Sequence, residues 1–148
     1  MKNKTIAAWL AFVAGPLGAH RFYLHGLRDW LGWLLPVPTV LGAYGIYRMG
    51  TLGQDDLASW VLIPLLGFTV AGCCLMAILY GLQKPEAWNR RFNPGADPED
   101  PAGRTQWATV WAIVLSLAFG TAVLMATLAI SFQAYFENQI EEGRKISE

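Results

Sequence analysis

The chain is poor in charge. Only 15% of its 148 residues are Asp, Glu, Lys or Arg, and eleven of each sign leave a formal net charge of zero. A persistently disordered chain needs low hydrophobicity and a large net charge, whereas 54% of these residues are hydrophobic, so general disorder is excluded. No basic excess exists to meet a phosphate backbone, which removes nucleic acid from the expected partners. The two cysteines, Cys73 and Cys74, are too few for a disulfide scaffold. Neighbours on a helix point about 100° apart, so this pair reads as small packing residues rather than an intrahelical bridge.

Charge is scarcest inside the apolar runs. Leu57 to Leu82 and Trp107 to Phe132 are each 26 residues long without one charged side chain. About 20 apolar residues cross a bilayer, so both stretches are predicted to be transmembrane helices. The first half of the chain is less regular. Ile6 to Ala19 is uncharged but only 14 residues long, and reaches spanning length only when extended to Leu24. Arg21 would then lie at the boundary, where a long side chain snorkels to the headgroups. Leu31 to Tyr47 is interrupted by Pro36 and Pro38, each removing a backbone donor, so this helix is predicted to kink or start late. Both segments are read as spans, with a re-entrant first hairpin as the alternative.

The fold class expected is therefore all-α: a polytopic integral membrane protein of four transmembrane helices arranged as two hairpins. The spans are 6–24, 29–47, 57–82 and 107–132. In domain terms the chain divides into a helical hairpin at 1–56, a third span at 57–82, a connector at 83–106, and a fourth span with a helical extension at 107–148. An even number of spans places both termini on one side. On that topology Lys2, Lys4, Arg48, Arg144 and Lys145 oppose Arg21, Arg28, Lys84, Arg90, Arg91 and Arg104, five against six, and the positive-inside rule selects no orientation. Lys2 and Lys4 ahead of an apolar run also resemble the start of a secretory leader. Pro16 would directly follow a cut after Gly15 and no A-x-A site is near, so the run is expected to stay as a helix.

Connector 83–106 holds Pro85, Pro94, Pro98 and Pro101. Its first half places Trp88 and Phe92 four residues apart beside Arg90 and Arg91, the pattern of a short amphipathic helix lying in the headgroup zone. Its second half is expected to be an irregular solvated loop. The tail after Phe132 is expected to continue the last helix for one or two turns, ending near Gly143.

No span carries Asp, Glu or Lys in its interior, which argues against proton-coupled carriers and pumps. Ser116 and Ser131 lie on helices without a histidine, so a serine-based hydrolase is disfavoured as well. His20, His25 and Asp29 lack a third firm metal ligand, and Asp29 is expected to pair with Arg21 or Arg28 or to cap the following helix. No catalytic, metal or cofactor site is expected. Small residues recur every four positions, at Ala7, Ala11, Gly15 and Ala19, and at Ala108, Ala112, Ser116 and Gly120. Such stripes let helices approach closely in lipid. A second stripe, Ala118, Ala122 and Ala126, suggests a homo-oligomer contact.

The most specific motif runs Gly15-Pro-Leu-Gly18-Ala-His20-Arg21-Phe22-Tyr23-Leu24-His25-Gly26. It resembles the signature of the TM-two domain family, small membrane proteins built on a two-helix hairpin whose first helix ends in a Gly-x-x-Gly-x-His-Arg-Phe-Tyr-Leu-Gly turn. The resemblance covers roughly residues 2–56 and includes Lys4 ahead of the first helix. In animal relatives the corresponding loop is regarded as cytosolic. Two departures stand out: His25 occupies the place of a glycine, and Tyr47 and Arg48 lie where the second helix often carries an acid. The resemblance implies a membrane hairpin and no defined activity. The expected function is a non-enzymatic component, in a bacterial inner (plasma) membrane, that contacts lipid headgroups or membrane partners. The candidate contact residues are Gly15, Gly18, His20, Arg21, Phe22, Tyr23 and Asp29. The alternative is a subunit of an oligomeric transport or channel assembly.

Overall fold

The computed structural model describes residues 1–54 and 56–147, the last by its backbone alone, and among these the chain is all-helical. The helices are α1 (Lys4–Ala14), α2 (Ala19–His25), α3 (Trp30–Leu34), α4 (Pro36–Leu52), α5 (Leu57–Leu82), α6 (Pro85–Phe92) and α7 (Trp107–Ser147). Short 3₁₀ turns lie at Gly15–Leu17 and Pro101–Gly103. Two helices, α5 and α7, are long and apolar enough to cross a membrane.

The first segment departs from the single span expected over 6–24. Asn3 caps α1 by accepting from the Thr5 amide, and α1 then runs eleven residues to Ala14. Pro16 cannot continue it, because proline lacks the amide donor and crowds the preceding turn. Gly18 adopts φ 78° and its N–H bonds back to the Gly15 carbonyl at 2.8 Å, which turns the chain around. Helix α2 then returns alongside α1: the Asn3 amide donates to the Tyr23 hydroxyl at 2.8 Å, and the Lys2 ammonium donates to the Leu24 carbonyl. The start of α1 and the end of α2 therefore share one end of the molecule. At 1.5 Å per residue the eleven residues of α1 are roughly 16 Å long, about half the thickness of a bilayer core.

The second segment breaks where its prolines predicted. Leu35 joins α3 to α4 with helical dihedrals, φ −59° and ψ −38°, so Trp30 to Leu52 forms one interrupted rod. That rod leads away from the first end, since the Thr39 hydroxyl donates to the Pro16 carbonyl at the deep turn. Gly42 and Gly45 of α4 pack closely on Leu66 and Leu62 of α5, an antiparallel register. Asp56 caps α5, accepting from the Ser59 amide at 3.2 Å and pairing with Arg48 at 2.7 Å. Helix α7 then runs antiparallel to α5. Gly81 meets Thr109 and Ile113, Gly120 meets Cys74, and Gly67 meets Thr127. The cysteines serve as packing residues: Cys73 abuts Gly15 of the turn, while Cys74, about 100° around the helix, abuts Gly120 of α7.

Two further expectations change. The N-terminus lies with connector 83–106 at one end of the molecule, and α7 finishes at the opposite end, so the described termini lie at opposite ends. The physical reason is the reversal at Gly15–Gly18, which removes one traverse. The last helix also continues through Gly143 to Ser147 instead of ending near that glycine.

Candidate functional site

The motif residues form the wall between the N-terminal hairpin and α5. Gly15 is buried, and a Cβ there would sit 2.5 Å from the Cys73 Cβ. Gly18 lies against the Gly32 backbone of α3, and Phe22 covers Gly32 with its ring 5.1 Å from that of Trp33. His20 is 2% exposed and lies 6.0 Å from the Tyr80 ring, with its Nδ1 lacking a protein partner. The Arg21 Nε–H donates to Asp29 Oδ2 at 2.5 Å. That bond, together with the nearby Arg21 charge, holds the Asp29 carboxyl below the usual carboxylate range. His25 Nδ1 is 3.8 Å from the same carboxylate, too far for a hydrogen bond. Asp29 thus pairs with Arg21, and although it occupies the position before α3 its side chain makes no capping bond. Tyr23 spends its hydroxyl on Asn3. Most of the motif is therefore internal structure, and Arg21 is the residue whose charged group sits at a partly open edge, with 23% of its side chain exposed.

A second polar cluster, below the connector, was not apparent in the sequence. Lys4 is fully buried, and its ammonium donates to the Gln83 carbonyl at 2.8 Å and to the Thr105 hydroxyl at 2.7 Å. Thr5 and Thr109 hydroxyls are 2.7 Å apart just beneath. Trp88, also fully buried, donates its indole N–H to the Lys2 carbonyl at 2.9 Å. Asn93 bonds both the Lys2 amide and the Lys2 carbonyl. The short helix expected here is present as α6, but Trp88 and Phe92 face inward onto Tyr80, and Glu86, Ala87, Arg90 and Arg91 are exposed. The rest of the connector is irregular and mostly exposed, and the Asn89 amide ties it down by donating to the carbonyls of Asp97, Pro98 and Asp100. The available signal was the Asn89–Asn93 spacing, two amides one helical turn apart that can satisfy loop backbone.

Among the described residues no group of three His, Cys, Asp or Glu side chains is placed to hold a metal ion. Ala7, Ala11, Gly15, Ala112, Ser116 and Gly120 are buried between helices, whereas Ala118, Ala122 and Ala126 lie on the outside of α7. Large apolar side chains are exposed along the bundle, including Val61, Phe68, Leu75 and Leu79 of α5 and Trp111, Leu117 and Phe119 of α7. Apolar surface on this scale is unusual for a water-soluble monomer. Together with the two membrane-length helices it defines a helical membrane protein.

Comparison with known families is consistent with that class. The model of the TM2 domain family matches residues 1–52, so the N-terminal third of the chain is similar to a TM2 domain, while α5 to α7 lie outside the match. No curated protein and no solved structure matches the chain.

Proposed function

We propose that the chain is a non-enzymatic, multi-pass component of a bacterial inner membrane that presents a basic edge to anionic headgroups at the cytoplasmic face. In this reading α1 and α2 enter that face as a re-entrant wedge, and α3–α4, α5 and α7 cross the bilayer. One observation carries it: the return of α2 moves the N-terminus beside the connector. Lys2, Lys4, Arg21, Arg28, Lys84, Arg90, Arg91 and Arg104 then share one end, and Arg48, Arg144 and Lys145 hold the other. Eight against three replaces the tie, and the positive-inside rule assigns the larger group to the cytoplasm. Each basic residue near an anionic leaflet contributes on the order of 1 kcal/mol of attraction.

The test is labelling with a membrane-impermeant maleimide in sealed vesicles, in a background lacking Cys73 and Cys74. A cysteine in an N-terminal extension, Pro98→Cys and Gly143→Cys are compared. The first two are expected to label from the cytoplasmic face and Gly143→Cys from the other. An N-terminal cysteine that labels with Gly143→Cys would overturn the re-entrant topology.

A further inference from the structure

We infer that the cleft between α2, α3 and α5 is a binding site for one anionic phospholipid, held by its phosphate at Arg21 with an acyl chain along α5. The inference deepens the headgroup-contact reading given above and rests on it. The cleft encloses about 500 Å³ and is lined by His20 and Arg21 at its outer end and by Leu34, Pro38, Phe68 and Met76, among others, further in. Its two ends differ in the sense a lipid requires. Met76 lies nearer the connector and Phe68 eight residues deeper, so the apolar part extends roughly 12 Å toward the middle of the bundle.

The outer end has unspent hydrogen-bonding capacity. Arg21 engages Asp29 through Nε alone, and among the described residues no protein acceptor takes its terminal amino groups. A guanidinium uses such a pair of donors to bind phosphate oxygens. Arg28 is exposed on the adjoining turn and adds a second positive charge. His20, at the same end, keeps a buried Nδ1 without a partner, although buried polar atoms generally have one. A free phosphate ion would satisfy the arginine and leave the apolar cleft empty. A lipid satisfies both, and basic pockets between helices at the cytoplasmic side are a recurrent way of holding anionic headgroups.

Native mass spectrometry of the full chain, purified in a neutral detergent, tests the site by counting retained lipids. Phosphatidylglycerol, phosphatidylcholine and inorganic phosphate are added separately. One phosphatidylglycerol per chain is expected to be retained, roughly tenfold tighter than phosphatidylcholine, whose choline cation offsets the phosphate charge beside Arg21 and Arg28. Thr69→Trp, on the cleft wall, is expected to abolish retention, and Leu34→Trp, on the opposite wall, serves if the first variant does not fold. Leu117→Trp, on α7 in the separate groove between α7 and α5, is expected to leave it unchanged. Equal retention by both cleft variants would overturn the cleft site while leaving the basic edge intact. Equal binding of the two lipids would overturn the selection of an anionic headgroup by Arg21 and Arg28. Competition by millimolar phosphate would show an anion site and overturn the lipid. The labelling experiment reads topology independently, so failure of the wider reading is distinguishable from failure of this one.

Discussion

Replacing Gly18 with alanine isolates the turn that folds α2 back along α1. Two costs arise together. Gly18 sits at φ 78° and ψ 6°, a left-handed conformation that costs an L-residue about 1–2 kcal/mol. A Cβ at this position would also overlap the Gly32 carbonyl, a backbone group that cannot rotate away, so α2 and α3 must separate. Overpacking of that kind costs about 1–3 kcal/mol. The sum for Gly18→Ala is about 2–5 kcal/mol. Gly26→Ala supplies a reference with strain and no overlap: its φ of 83° and ψ of 174° lie in a region essentially reserved to glycine, yet nothing lies within 4 Å of the added methyl, and about 1–3 kcal/mol is expected. Gly50→Ala has neither strain nor a neighbour within 4 Å and should stabilise by roughly 0.5–1 kcal/mol. Unfolding in mixed micelles, titrated with sodium dodecyl sulfate and followed by helical circular dichroism, ranks the three. If Gly18→Ala loses no more stability than Gly26→Ala, the close approach of α2 to α3 is not what fixes the turn, and the argument fails.

Two other predictions concern charged groups. Hydrogen bonds from Arg48 and Ser59 depress the Asp56 carboxyl far below its ordinary range. A depressed carboxylate stabilises the fold fully above its unfolded pKa of about 3.9, and that stability is lost as the pH falls toward the folded value. The micellar unfolding midpoint should therefore drop between about pH 5 and pH 3, and Asp56→Asn should flatten the slope; an unchanged slope would remove Asp56 from the account. Lys4→Met keeps the apolar stem of the side chain but leaves the Gln83 carbonyl and Thr105 hydroxyl without their charged donor. A loss of about 1–3 kcal/mol is expected, with faster proteolysis of the connector as a second readout. Wild-type proteolysis rates in Lys4→Met would show that this bond does not tie the connector down.

What could be read directly from the residues was one-dimensional. Leu57–Leu82 and Trp107–Phe132 are uncharged apolar runs, and a helix is the arrangement in which one such segment satisfies its own backbone without other strands, so those two elements follow from hydropathy and length. The break at Pro36 follows from proline's missing donor, although Pro64 lies within α5 without ending it. The TM-two signature was legible for the same reason: glycines at 15 and 18 and aromatics at 22 and 23 have fixed positions in sequence.

Direction was not legible. A 19-residue segment containing Gly15-Pro16-Leu17-Gly18 is compatible with a kinked span or with a reversal, and the choice depends on contacts far along the chain. Lys4 finds its partners at Gln83 and Thr105, Lys2 at Asn93, Gly15 at Cys73, and Gly18 at Gly32. Trp88 and Phe92 have the spacing of an interfacial anchor, yet Tyr80 and the Lys2 backbone offer them a buried surface and a hydrogen bond. The sequence by itself determined which segments are helical and apolar, because those properties follow from each residue's own transfer and backbone energetics. Only the tertiary structure decided which end each segment faces, since that rests on pairings between residues up to 104 positions apart, and it is those pairings that gather eight of the eleven basic residues at one end.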